Sequence, residues 1–176
     1  MFDWFKEIPE LLQGSLLTIL GFLFAVAWDI NKSNREKADK EKSILLALGA
    51  CLEENLSRIE KNRRILRHEE DINKQNNKEY NDTPFVLLDT TQIWSFFTIH
   101  VPEKIISDTE LINNLRNLAI ETEFINHTIQ SRDLFRTTQR TTRPFTPTIL
   151  NFGQRIGEGL GVVEDLIKTV QTKLKT

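Results

Sequence analysis

An arginine and a histidine in the first half of the chain have the residue types and spacing for chemistry at a phosphate. Arg63 and His68 form an Arg-x4-His pattern within a stretch of helical periodicity. A histidine exchanges a proton near neutral pH, and an arginine stabilises the charge of a phosphate group. The pair therefore has the residue types for proton transfer at a phosphate group. The alternative is that both side chains belong to a solvated helix end.

Four further arginines share one side of a predicted helix and form a candidate contact for RNA or phospholipid. Their spacing of four, four and three residues repeats with the helical period. The alternative is a helix face that pairs with acidic residues of a neighbouring helix or subunit. These residues, called the basic stripe below, are Arg132, Arg136, Arg140 and Arg143.

Composition excludes several other kinds of site. With three histidines and a single cysteine, Cys51, the sequence lacks the ligand pattern of structural zinc and cannot form an internal disulfide. It also lacks a phosphate-binding glycine loop and a nucleophile elbow. A formal net charge of −2 argues against bulk nucleic-acid binding. We therefore predict no metal and no cofactor, and an enzyme only if Arg63 and His68 are catalytic.

The N-terminal region contains one long apolar run. Residues 11–28 carry no charged side chain, and as a helix they would span about 27 Å, close to the roughly 30 Å hydrocarbon core of a bilayer. Basic residues at 32, 35, 37, 40 and 42 follow the run, whereas Lys6 alone precedes it. Because an excess of Lys and Arg marks the cytoplasmic side, we predict a single-pass protein with its N-terminus outside and its C-terminal domain in the cytoplasm. A cleaved signal peptide and a buried helix of a soluble protein are the alternatives.

One face of the apolar run is made of small and weakly polar residues. Small side chains at helical spacing let helices approach closely, which indicates self-association. The polar members could instead line a water-filled channel inside a ring of subunits. The residues concerned are Gln13, Gly14, Ser15, Thr18, Gly21 and Ala25.

The remaining sequence predicts helices. Apolar residues recur at helical spacing from Leu45 to Leu66 and from Leu111 to Ile129. Residues 107–110 read as a capping box, and Pro147 suits the first turn of a last helix. In that helix two sets of apolar residues are spaced by seven. They are Ile149, Ile156, Val163 and Val170, and Leu160, Ile167 and Leu174.

The segment between the long helices is harder to assign. Residues 84–90 could form a strand or a short helix, and we predict a short helix from about Thr90. The predicted fold is all-α, with an N-terminal transmembrane helix that continues into a cytoplasmic helical bundle. Residues 1–30 form the predicted anchor and residues 31–176 the predicted bundle domain.

Two resemblances add to this interpretation. The Arg63–His68 pattern resembles the R-x(4–6)-H signature of HEPN ribonucleases, helical-bundle proteins in which two such motifs meet across a dimer. The anchor, the helical domain and the degenerate motif together resemble the small membrane accessory protein of type VI-B CRISPR–Cas systems. That resemblance implies a divergent HEPN-like bundle, a bacterial inner-membrane location and a ring-like homo-oligomeric pore beside an RNA-guided RNA nuclease.

Three functions follow as expectations. The first is an oligomeric pore that enhances RNA-targeting antiviral defence by permeabilising or depolarising the inner membrane. The second is a membrane-tethered HEPN-type ribonuclease that uses Arg63 and His68. The third is a membrane scaffold that recruits a partner.

Overall fold

Four helices account for most of the residues whose placement the computed structural model describes, which are residues 10–74, 83–98, 108–139 and 146–174. They are α1 (Glu10–Lys74), α2 (Thr91–Thr98), α3 (Thr109–Gln139) and α4 (Pro147–Leu174). No strand occurs within these ranges. The predicted all-α class is confirmed.

Helix α1 runs without interruption for 65 residues. No proline lies between Pro9 and Pro84, so nothing in the sequence forces a break. Residues 29–42 are highly charged, and opposite charges four residues apart, such as Lys32 and Glu36, stabilise a solvated helix. The predicted continuation of the N-terminal helix beyond residue 30 is confirmed.

The chain divides into two units, Met1–Ser43 and Ile44–Thr176. In the first unit every described side chain from Thr18 to Lys40 is exposed. The second unit contains the buried core, to which α1 contributes Leu48, Leu52 and Ile59.

Helices of the second unit begin at polar side chains. The carboxylate of Asp108 accepts a hydrogen bond from the amide of Leu111 at 2.9 Å and caps α3. The hydroxyl of Thr146 accepts one from the amide of Ile149 at 3.3 Å, directly before Pro147. The predicted start of the last helix is confirmed. Ser107, the predicted first residue of the capping box, lies outside the described residues.

Helix α4 packs through its seven-residue repeat. Six of its apolar residues are buried, and Leu174 is half-buried. At Gly159 a Cβ atom would come within 2.8 Å of the Ile125 side chain on α3, so glycine is needed for this close approach. Gly153 and Gly157 lie against Leu66 of α1. Tight packing therefore compensates for glycines that would otherwise weaken the helix.

Residues 83–90 form neither a helix nor a strand. Phe85 and Leu88 are buried in the core, at 6% and 3% exposure. Helix α2 follows directly, and the carboxylate of Asp89 accepts a hydrogen bond from the amide of Thr91 at 2.8 Å. The predicted short helix from about Thr90 is confirmed.

The predicted single-pass inner-membrane localisation is wrong. Across the part of the chain that the structure describes, no helix is both long enough and apolar enough to cross a membrane. Helix α1 has the length, but charged side chains replace the apolar ones from Asp29 onward.

Candidate functional site

A set of polar side chains in the second unit holds the segment 83–90. Three asparagine side chains each bind one residue of this segment, donating from Nδ2 to its carbonyl oxygen and accepting its amide proton at Oδ1. Each pair thus satisfies both main-chain groups of a residue, as a neighbouring strand would. The pairs are Asn62 with Val86 (2.8 and 2.8 Å), Asn126 with Leu88 (2.8 and 2.8 Å) and Asn55 with Asp89 (2.8 and 2.7 Å). We call α1 and α3 with these three side chains the asparagine groove.

The spacing of the asparagines shows that the bound segment is extended. Asn55 and Asn62 lie seven residues apart on α1, which corresponds to about 10.5 Å along a helix. They bind Asp89 and Val86, three residues apart. An extended chain covers about 10 Å in three residues. The helix therefore presents its amides at the repeat of an extended peptide.

Two apolar side chains anchor the segment between its main-chain hydrogen bonds. Phe85 and Leu88 are three positions apart, and both are buried. The carbonyl of Leu87 accepts a further hydrogen bond from Arg58 at 2.9 Å, while the Leu87 side chain is exposed. The segment is thus held by main-chain hydrogen bonds, which do not depend on its sequence, and by two buried apolar side chains.

A buried ion pair closes the Phe85 end of the groove. Arg132 on α3 is fully buried and pairs with Glu69 on α1. Its guanidinium lies over the Phe85 ring, 4.6 Å from the centroid, in a cation–π contact. Among the described residues, Nε and Nη1 of Arg132 have no hydrogen-bond partner, although Nη1 lies 3.5 Å from the Asp133 carboxylate in a second ion pair. Loss of Glu69 would remove the closer of two carboxylates from a buried charge.

A cysteine lies at the opposite end of the groove. The Cys51 thiol donates to the carbonyl of Asp89 at 3.7 Å and accepts from Nδ2 of Asn55 at 3.8 Å. Burial, with a smaller contribution from the Asp89 carboxylate, raises the pKa of Cys51 to about 11. This thiol is therefore neutral and unreactive near neutral pH.

Comparisons of this chain with known proteins find no match. No family model, curated protein or solved structure matches this chain. Its function is therefore inferred from its own geometry.

The structure places Arg63 and His68 on different sides of α1. Five residues in a helix rotate by about 140°. Arg63 is ion-paired with Glu164 of α4, and His68 is exposed. Lys168 also bonds Glu164, at 2.6 Å, and this bond, with the charge of Arg63, lowers the pKa of the Glu164 carboxyl. Within the single chain, Arg63 is part of a helix–helix contact.

The basic stripe is divided by the fold. Arg132 is fully buried against Glu69, and Arg136 is half-buried. Arg140 and Arg143 lie outside the described residues. Arg132 therefore pairs with an acidic residue of a neighbouring helix, which was the alternative prediction for the basic stripe.

The small and polar face lies on α1 in the first unit. Thr18, Gly21 and Ala25 are exposed. The side chains of Gln13 and Ser15 lie outside the described residues, as does the environment of Gly14.

Sequence reasoning missed the asparagine groove, although one signal for it was available. Asn55, Asn62 and Glu69 follow Leu48 at intervals of seven residues, so they continue a buried helical position. Polar residues at buried positions must find partners. Asn126 lies in the apolar stripe of α3 and carries the same signal.

Proposed function

We propose that this protein functions by assembling with itself through the apolar part of α1. Large apolar side chains there are exposed in the single chain, up to 75% for Phe24. Contiguous apolar surfaces of this kind mark interaction sites. The residues, called the apolar belt below, are Ile19, Leu20, Phe22, Leu23, Phe24, Val26, Trp28 and Ile30.

The apolar belt surrounds most of the helix. At about 100° per residue, its side chains cover roughly 240° of the circumference. Thr18, Gly21, Ala25 and Asp29 occupy the remainder. A helix that is apolar over about two thirds of its circumference needs partners on more than one side. One flat partner surface would leave half of the apolar belt in water.

The energetics favour three or more copies. If each of the eight side chains recovers about 1.5 kcal/mol on burial, complete burial contributes about 12 kcal/mol per chain. Association itself costs roughly 4–15 kcal/mol. A dimer that covers half of the belt on each chain recovers about 12 kcal/mol for one association, whereas three chains that bury their belts completely recover about 36 kcal/mol for two. A bundle of several α1 helices buries the belt more completely.

The sequence after the belt sets its boundary. Residues 29–42 alternate positive and negative charges that can pair within the helix. This stretch is stable in water without a partner, so the assembling surface ends near Ile30.

Light scattering on the full chain tests the proposal. In aqueous buffer the wild-type mass should be at least three times the 20.5 kDa of one chain. Replacing Phe22 and Phe24 with aspartate places two charges in the assembled core and should shift the protein to monomer.

A matched control is available on α3. Ile120 and Phe124 are each 50% exposed and lie outside the apolar belt. The double variant I120D/F124D should keep the wild-type mass. A wild-type protein that stays monomeric, whether free or bound to phospholipid vesicles, would contradict the proposal.

The functions predicted from the sequence are not part of this proposal. The role in RNA-targeting defence and the HEPN-like character of the bundle stay predictions that rest on resemblance. The predicted pore and membrane scaffold need the localisation corrected above, so they are not part of the proposed function. The ribonuclease function also stays a prediction, and the pairing of Arg63 with Glu164 does not favour it.

A further inference from the structure

We draw no further inference here: the strongest candidate, the exposed apolar face of α3 formed by Ile120, Phe124 and Leu134, carries none because nothing in the structure shows what covers it.

Discussion

At the scale of single residues, Asn55 shows how a buried polar group becomes favourable. An unpaired buried amide costs about 1–3 kcal/mol. Asn55 is fully buried, yet its oxygen and nitrogen both bond Asp89. Asn62 does the same with Val86. These side chains thus replace the partner strand that an extended segment would otherwise require.

The thiol of Cys51 provides a residue-scale prediction. With its pKa raised to about 11, the thiolate fraction at pH 8 is about 100-fold below that of an ordinary cysteine. We expect modification by a maleimide or a disulfide reagent to be at least 100-fold slower in the native protein than in urea. The same sample unfolded in urea is the control. Similar rates in both states would show that Asn55 and Asp89 do not enclose the thiol.

At the scale of elements, the second unit depends on how closely α4 approaches its neighbours. Gly159 faces Ile125 of α3, which is 1% exposed. A Cβ atom added at Gly161, two residues later, would meet no neighbouring side chain of the described residues within 4 Å. Two glycines in one helix therefore have different roles. Gly159 permits contact, whereas Gly161 only lowers helix propensity.

Alanine substitutions at these two glycines should have opposite effects. Gly159→Ala forces the buried Ile125 side chain to move, and overpacking typically costs about 1–3 kcal/mol. We expect a net loss of about 1 kcal/mol after the gain in helix propensity. Gly161→Ala should increase the free energy of unfolding by up to about 1 kcal/mol. Urea unfolding at one protein concentration measures both. Equal effects would contradict the close α3–α4 contact.

At the scale of the whole molecule, the two units have different needs. The second unit buries its own core, from Leu48 on α1 to Val170 on α4. The first unit exposes its apolar belt and its charged residues alike. Under the proposed self-assembly, the first unit buries its apolar belt against other copies.

The proposed assembly should respond to solution conditions as an apolar contact does. Raising the salt concentration screens the charges of residues 29–42 but does not weaken burial of the apolar belt, so the assembly should persist. Cooling should weaken it, because apolar burial is less favourable in the cold. Sedimentation velocity across salt and temperature measures the populations. Dissociation at high salt would show instead that the charged stretch drives association.

The sequence by itself determined the helices and much of their packing. Pro147 predicted the start of α4, and the absence of proline predicted a continuous α1. These features depend on local periodicity and backbone chemistry, so they can be predicted from residues that are close in sequence. The predicted membrane localisation was wrong, although it relied on the same kind of pattern, because no described helix is both long enough and apolar enough to cross a membrane.

Only the tertiary structure decided which polar residues meet. Arg63 pairs with Glu164, and Arg132 pairs with Glu69 beneath the core rather than presenting a charged surface. The partners lie 101 and 63 positions apart in the sequence. A local pattern carries no information about such distant pairs. The asparagine groove is of the same kind, since α1 and α3 must come together before their amides can hold one extended segment.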